Sequence, residues 1–392
     1  MTKARRHYHF GLIYWLVFCL SIADALVGYV QSSYLNQFFS LSAVGLIIGI
    51  CSAATIIFSI YLPRAIFRRS AYKVGLGLTL INIICALILT FSRNPGLVFI
   101  FFLIRYLGFV FLLVVLDVFL EKISADKITG SIRSIYLTAI NIAWLASPWL
   151  MGYLVGTSNN YSRVYLLGAL LTTVLLITLR LNKRRLQAVK TDATLKTSGF
   201  FSSLWQLFSN RHLLATFNSV IALNIFYTMA VLYLPIYLNR EVGFSWPTIG
   251  LVFTFMLLPF VLLQIPAGII ADKYIGEKEM LIAGNLIMAG GSVLIWLTSS
   301  HNLIFWAGLL FFSRIGAALA ESMQEIYFYK KISVRDVGLI NLFRQARSIG
   351  WLLGALLAFA CLNFMTIPAL FLIVAVILIL DTIQLSFIKD TK

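Results

Sequence analysis

Twelve long apolar runs make up most of this chain, and they restrict its fold more than any other feature. Of its 392 residues, 60% are hydrophobic and 11% are charged. Each run holds about 20 residues or more, the length at which a helix crosses a ~30 Å hydrocarbon core. Alternating segments of strand length are absent, which argues against an outer-membrane barrel. The sequence therefore predicts an all-α polytopic membrane protein.

Charged and turn-forming residues between the runs set the predicted boundaries. The twelve predicted transmembrane helices cover residues 11–35, 42–63, 72–92, 97–120, 133–156, 162–181, 213–237, 247–270, 279–299, 303–328, 337–361 and 366–387. The longest polar segment follows the sixth of these spans. We therefore predict an N-terminal six-helix bundle at 1–182, a cytoplasmic linker at 183–211 and a C-terminal six-helix bundle at 212–392.

The distribution of basic residues predicts the orientation. Most of the 31 Lys and Arg residues lie in the termini and in alternate loops, whereas the opposite loops hold only Arg93, Arg163 and Arg240. Basic loops stay on the cytoplasmic side, so both termini are expected in the cytoplasm of a multi-pass protein of the inner or plasma membrane. The net charge of +17 also suits nucleic-acid binding. The Lys and Arg residues that give this charge lie in short connectors between the spans, which favours a role in setting the topology. We therefore expect no nucleic-acid partner.

The two halves of the chain repeat each other. Tyr34-Leu-Asn36 corresponds to Tyr237-Leu-Asn239, and Pro63 corresponds to Pro266. Arg105 lies seventeen residues before a Lys-Ile-Ser sequence, and so does Arg314. Three matches in the same order indicate a duplicated six-helix unit, which is a common architecture of transporters.

The loop after the eighth span carries the most specific motif. It reads Gly268-Ile-Ile-Ala-Asp272-Lys273-Tyr-Ile-Gly276-Glu-Lys278. This resembles the cytoplasmic G-x-x-A-D-R/K-x-G-x-K motif of the major facilitator superfamily, with one extra residue before the second glycine. The resemblance extends over the whole chain. It implies two six-helix repeats and transport of a small-molecule substrate by alternating access, without a cofactor or a metal.

Two further motifs carry the resemblance. Arg105 with Gly108 is similar to the fourth-span motif of the superfamily, and Pro148 with Gly152 is similar to the fifth-span motif of its drug/proton antiporter branch. The resemblance implies proton-coupled efflux of amphipathic or drug-like compounds. Proton-coupled uptake or facilitated transport of a sugar or another metabolite is the alternative.

One intramembrane cation and one carboxylate are placed to meet. Arg105 interrupts an apolar run, and Asp24 is the only charge in the first span. At about 1.5 Å per residue, Asp24 lies about 20 Å from the cytoplasmic face and Arg105 about 12 Å from the outer face. In a ~30 Å core their heights agree within a few ångströms. We predict a proton-coupling pair, with a fixed ion pair between the two helices as the alternative.

Other charges within the spans form a second candidate set. A cation in a bilayer is costly unless it is paired, so such residues indicate either a function or a structural pair. We predict that two glutamates of the tenth span meet arginines of the eleventh near the cytoplasmic side, as a gate or as a structural contact. Asp117 and Arg133 are the candidate counterpart of this pair in the first half. Asp272 and Lys273 of the loop motif are expected to act as a latch between two spans. The predicted gating residues are Asp117, Arg133, Asp272, Lys273, Arg314, Glu321, Glu325, Arg344 and Arg347.

Polar and aromatic residues in the first and seventh spans are candidates for substrate binding. In the resembled superfamily these spans line the central cavity, and a mixed aromatic and amide lining suits an amphipathic organic solute. The predicted binding residues are Tyr29, Gln31, Asn224, Tyr227 and Tyr233.

Sequence motifs of enzymes are absent. The chain has no HExxH, no GxSxG and no phosphate-binding glycine loop. We therefore predict a transporter that works as a monomer with protons, a small molecule and the lipid bilayer as its partners. A receptor or scaffold of the same fold, which does not transport, is the remaining alternative.

Overall fold

Helices form wherever the hydropathy pattern predicts a span. The computed structural model describes residues 3–59, 61–123, 129–187, 200–332 and 337–389. In lipid, backbone N–H and C=O groups must pair within their own segment, so apolar runs of this length become helices. Within these ranges no strand occurs.

The helix bounds follow the chain order. The first half contains α1 (Lys3–Gly28), α2 (Gln31–Leu35), α3 (Leu41–Ser59), α4 (Leu62–Arg69), α5 (Ala71–Phe91), α6 (Pro95–Ile123), α7 (Thr129–Val155), α8 (Ser162–Leu181) and α9 (Lys183–Gln187). The second contains α10 (Phe200–Ser209), α11 (Arg211–Thr228), α12 (Leu234–Arg240), α13 (Trp246–Leu262), α14 (Gln264–Lys273), α15 (Glu277–Leu297), α16 (Leu303–Lys331), α17 (Val337–Cys361) and α18 (Ile367–Ser386).

Eleven segments of the described chain are long and apolar enough to cross a membrane. They correspond to eleven of the twelve predicted spans. The remaining span is α17, which has 25 residues and carries Arg344 and Arg347. At 1.5 Å per residue, α17 is also long enough to cross the hydrocarbon core. Its two arginines lower the hydropathy of this span.

Asparagine caps start equivalent helices in the two halves. Asn94 Oδ1 accepts hydrogen bonds from the backbone N–H groups of Gly96 and Leu97 at 2.9 and 3.2 Å. Asn302 Oδ1 does the same for Ile304 and Phe305 at 2.8 and 3.3 Å. These bonds satisfy N–H groups that have no partner inside the helix. The caps therefore set the starts of α6 and α16, the two helices that carry Arg105 and Arg314.

A π-helical turn, Met229–Tyr233, joins α11 to α12 in one continuous span. Pro235 follows one residue after this turn ends, in the first turn of α12. Proline has no N–H group and its ring clashes with the carbonyl four residues earlier, so the regular α-helical ladder is interrupted there. The wider turn accommodates the proline without ending the span.

The first compact unit, unit 1, comprises residues 1–39, 54–194 and 245–250. Within it, α1 packs against α6, α7 and α8, and α5 packs against α6 and α8. The core between α1 and α6 consists of aliphatic and aromatic side chains such as Leu16 and Phe119. This packing brings the faces of α1, α6 and α8 that carry polar residues together.

The second compact unit, unit 2, comprises residues 40–53, 195–244 and 251–392. Here α15 packs against α16 and α18, and α11 packs against α16, α17 and α18. Gly284 of α15 and Gly316 of α16 face each other, and a Cβ on Gly316 would lie 2.5 Å from the carbonyl oxygen of Gly284. The absence of side chains at both positions lets the two backbones come this close.

Candidate functional site

An ion pair joins α1 to α6 inside unit 1. Arg105 Nη2 donates a hydrogen bond to Asp24 Oδ1 at 3.3 Å. The two side chains are 8% and 19% exposed, respectively. Since arginine stays protonated in proteins, only the carboxylate of this pair can gain or lose a proton. The pair therefore has one fixed charge and one that can titrate.

Aromatic rings enclose the Arg105 side of this pair. The guanidinium carbon of Arg105 lies 5.8 Å from the ring centroid of Tyr165 on α8, within the range of a cation–π contact. The Tyr165 ring packs on Tyr34, with 4.5 Å between centroids, and the Tyr34 hydroxyl donates to the Leu89 carbonyl at 2.6 Å. The Tyr165 hydroxyl has no hydrogen-bond partner among the described residues. It is thus a donor available beside the ion pair.

The second half replaces this ion pair with a ring contact. The repeat offset that relates Tyr34 to Tyr237 also relates Asp24 to Tyr227. Arg314 lies 5.7 Å from the Tyr227 ring centroid and 4.7 Å from that of Phe226. The Tyr227 hydroxyl donates to Glu321 Oε2 at 3.3 Å. A phenol thus occupies the position of the carboxylate, which makes the two halves chemically different.

A cluster of opposite charges joins α16 to α17 in unit 2. Arg347 Nη2 lies 2.7 Å from Glu325 Oε1 and 3.8 Å from Glu321 Oε1. The side chains of Arg347 and Glu325 are 50% and 39% exposed, so water weakens this contact. The geometry is that of the predicted cross-helix pair, with Arg347 making both contacts. Arg344 lies one turn earlier on the same helix and is half-buried.

A small recess, with room for about one water molecule, lies beside this cluster. Its polar lining consists of two amides, two carboxylates and a guanidinium, and one phenylalanine ring adds an apolar surface. These residues are Asn224, Gln324, Glu321, Glu325, Arg347 and Phe343. The recess is too small for an organic solute in this conformation, so a solute would contact this polar and aromatic lining only after the recess opens.

The five predicted binding residues lie in both units. Tyr29 is buried in unit 1, where its ring packs edge-on against Trp144 at 5.8 Å, and Gln31 is buried in the same unit. In unit 2, Asn224 lines the recess and Tyr227 contacts Glu321. Tyr233 is fully buried in the π-helical turn, and its hydroxyl lies 2.7 Å from the point where a Cβ on Gly45 would be. Of the five, only Asn224 lines the recess.

Close packing explains the motif glycines Gly108 and Gly152. A Cβ on Gly108 would lie 2.3 Å from Asn82 Nδ2, so this glycine leaves room for a buried amide of α5. Within unit 1, a Cβ on Gly152 would lie 2.5 Å from the Trp246 carbonyl oxygen, and one on Gly250 would lie 2.4 Å from that of Pro148. Pro148 and Gly152 thus lie where α7 packs closely against the first residues of α13.

The structure describes part of the loop motif between Gly268 and Lys278. Gly276 adopts φ +105°, a conformation that glycine tolerates, and it precedes α15 directly. Lys278 Nζ donates to the Ser386 carbonyl at 2.9 Å, and Gly268 lies in α14. The side chains of Asp272 and Lys273 lie outside the described residues, and so does that of Arg133, the expected partner of Asp117. The latch and the Asp117 pair therefore stay predictions.

Two buried carboxylates of unit 2 were missed in the sequence. Asp381 of α18 is 6% exposed and accepts a hydrogen bond from Asn285 Nδ2 at 2.7 Å. Glu277, at the start of α15, is buried and pairs with Lys330. The sequence signal for Asp381 was present, because it is the only charged residue of the last predicted span.

Comparisons with known proteins agree with this architecture. The family model of the Major Facilitator Superfamily matches residues 13–247 and again residues 219–392. A solved structure of the nucleoside transporter NupG superimposes with a TM-score of 0.77 over 97% of this chain and 99% of that one. The two sequences are 15% identical, so this likeness concerns the fold alone. No curated protein matches the sequence.

Proposed function

This chain belongs to the major facilitator superfamily and is a secondary transporter of a small molecule, and we propose that it couples transport to protons through Asp24. The observation that carries the proposal is the Asp24–Arg105 ion pair, buried between two membrane-spanning helices. A structural role alone is a weak reason for such a pair, because apolar residues pack there at lower cost. A titratable carboxylate beside a fixed cation supports a switch instead.

The proposed switch works through the charge of Asp24. When Asp24 is ionised, Arg105 holds it and ties α1 to α6. When Asp24 takes up a proton, the ion pair loses its Coulomb attraction and the two helices are released. Asp24 is more exposed than Arg105 and so has the better access to water for exchanging a proton.

The proposed substrate is a polar organic solute with a ring, of the chemical class that includes nucleosides. The recess of unit 2 supports this class, because Asn224 and Gln324 present amides and Phe343 presents an aromatic face. Hydroxyl and amide groups of a solute match such a lining. The NupG structure is that of a nucleoside transporter, and its similar fold is compatible with the proposal.

Efflux of amphipathic compounds is the second candidate. The observation in its favour is the pair of aromatic rings, Tyr34 and Tyr165, packed beside the ion pair of unit 1. An aromatic surface beside a buried charge suits a solute with an apolar body and a charged group. The antiporter-like residues Pro148 and Gly152 are consistent with this candidate.

A solute panel in proteoliposomes distinguishes the two candidates. The purified protein is reconstituted, a proton gradient is imposed, and labelled nucleosides, sugars and amphipathic dyes are followed in parallel. We expect a nucleoside or a similar polar solute to accumulate against its gradient. Extrusion of the dyes without movement of any polar solute would replace the first candidate by the second. No movement of any solute would favour the scaffold alternative.

Asn224 is expected to contribute to substrate affinity. Replacing it with Ala should raise KM about 2- to 10-fold at unchanged maximal rate, since one hydrogen bond contributes about 0.5–1.5 kcal/mol. The matched control is Asn218→Ala on the same helix, because Asn218 donates to Gln384 Oε1 at 3.2 Å and does not line the recess. Initial rates over a range of substrate concentrations measure both variants. Equal KM values in Asn224→Ala and wild type would remove the recess from the binding site.

The protein is further proposed to act as a monomer in the inner or plasma membrane with both termini in the cytoplasm. Two six-helix repeats in one chain are the complete superfamily fold, and in the sequence most Lys and Arg residues fall in the termini and in alternate loops, which supports this orientation. In a Cys361→Ala background, which removes the partly exposed native cysteine at the end of α17, a cysteine introduced at the C-terminus should react with an impermeant maleimide only after the cells are opened. Labelling of intact cells would reverse the orientation.

A further inference from the structure

Asp381 is a buried carboxylate without a charged partner. It lies on α18 in unit 2, 6% exposed, in a span that has no other charged residue. No basic side chain within the described ranges forms an ion pair with it. An isolated carboxylate in such a place costs far more than a neutral acid, so it must bind a cation or hold a proton.

The side chains around Asp381 are neutral. Asn285 Nδ2 donates to Asp381 Oδ2 at 2.7 Å, and Ser219 lies beside the same carboxyl group. The Ser219 hydroxyl in turn accepts from Gln324 Nε2 at 2.9 Å. The chain from Gln324 through Ser219 to Asp381 and Asn285 connects four helices, α16, α11, α18 and α15. It supplies hydrogen bonds but no positive charge.

Charged and titratable groups on the helices that pack against α18 do not reach Asp381. None of them forms a described hydrogen bond or ion pair with its carboxyl group. Most of them lie in the first or last turn of their own helix, and Lys278 uses its ammonium on the Ser386 carbonyl. On α11, α12, α15 and the π-helical turn these groups are Arg211, His212, Tyr227, Tyr237, Arg240, Glu277, Lys278, Glu279 and Tyr233.

Two oxygen atoms of the Asp381–Asn285 pair lack a hydrogen bond in the described structure. They are Asp381 Oδ1 and Asn285 Oδ1, and both are acceptors when Asp381 is ionised. A carboxylic acid and a primary amide can pair through two hydrogen bonds. The amide N–H donates to one acid oxygen, and the acid O–H donates to the amide oxygen. The first of these bonds is present, and one proton on Oδ1 would supply the second.

We propose that Asp381 and Asn285 form a proton-binding site in unit 2, in which Asp381 is a neutral acid that donates from Oδ1 to Asn285 Oδ1. The site shares no residue with the Asp24–Arg105 pair. One proton removes the uncompensated charge and satisfies both unpaired oxygens. The transporter thus holds two chemically distinct carboxyl groups, one paired with a cation and the other kept neutral by its amide partner.

Infrared difference spectroscopy tests this site in the whole protein reconstituted in lipid. Wild type minus Asp381→Asn, recorded at neutral pH, should show the C=O stretch of a protonated carboxyl, shifted to lower frequency in D2O. The band should persist in Asp24→Asn, which removes the other candidate acid. A difference spectrum that contains only ionised-carboxylate bands would overturn the proposal.

Two further measurements keep the test decisive. Asn285→Ala should move the acid band to higher frequency, because the acid loses its amide partner, and an unmoved band would contradict the pairing. The spectra are also recorded in sodium chloride and in choline chloride. A band that sodium abolishes would mean that the site binds a sodium ion instead of a proton, which overturns the proposal. Neither result depends on whether Asp24 couples transport.

Discussion

Asp24→Asn is expected to abolish the accumulation of solute that a proton gradient drives. The substitution keeps the shape of the side chain and removes its titratable charge. Arg105 then stays buried without its anion, and breaking a buried pair in this way costs about 3–5 kcal/mol. Thermal unfolding in detergent should therefore show a less stable protein, and labelled solute inside proteoliposomes should stay near its equilibrium level.

A double variant separates the loss of coupling from the loss of stability. In Asp24→Asn with Arg105→Gln, two neutral side chains replace the ion pair, so most of the stability should return while accumulation should not. Exchange of solute down its own gradient should survive in the double variant, since the recess of unit 2 is unchanged. The matched control is Glu241→Gln, a carboxylate in the loop between α12 and α13, which should accumulate solute as wild type does. Accumulation by Asp24→Asn at the wild-type level would exclude Asp24 from coupling.

Gly316→Ala is expected to destabilise the contact between α15 and α16 strongly. The new Cβ would lie 2.5 Å from the Gly284 carbonyl oxygen and 2.9 Å from the Met288 backbone nitrogen. Both are backbone atoms, so no side chain can move aside and the helices must separate. We expect a cost at the upper end of about 1–3 kcal/mol, the range for overpacked cores. Thermal unfolding followed by size-exclusion chromatography measures it.

Glycines elsewhere on the same two helices provide the matched controls. Apart from the backbone of its own helix, no atom lies within 4 Å of a Cβ built on Gly308 of α16 or on Gly290 of α15. Gly308→Ala and Gly290→Ala should therefore unfold at or slightly above the wild-type temperature, since alanine is favoured over glycine in a helix interior by about 0.5–1 kcal/mol. Gly284→Ala should resemble Gly316→Ala, since its Cβ would lie 2.7 Å from the Gly316 carbonyl oxygen. Equal stability of all four variants would show that the two helices are not in close contact.

Depth along a span follows from the sequence, because the rise per residue of a helix is nearly constant. This arithmetic placed Asp24 and Arg105 at the same height, and the structure has them 3.3 Å apart. The family model matches each half of the chain, which confirms the superfamily resemblance and the duplication. These features depend on spacing, which a sequence records directly.

Rotation about a helix axis is harder to predict in a membrane protein. The span of Arg105 is apolar on all sides, so its pattern does not indicate which face meets α8, and the contact with Tyr165 was not foreseen. The pairing of Arg314 with the Tyr227 and Phe226 rings was missed for the same reason. The π-helical turn that contains Tyr233 was not predicted either, because hydropathy does not register the interruption that Pro235 imposes on the helix.

Proton flux driven by the solute tests the account most directly. Proteoliposomes that contain a trapped pH-sensitive dye receive a solute that the wild type transports, in the absence of any imposed proton gradient. We expect the wild type to change the internal pH as solute moves. The double variant Asp24→Asn with Arg105→Gln should move the same solute at constant pH. A pH change of equal size in both proteins would contradict the assignment of Asp24 as the coupling residue.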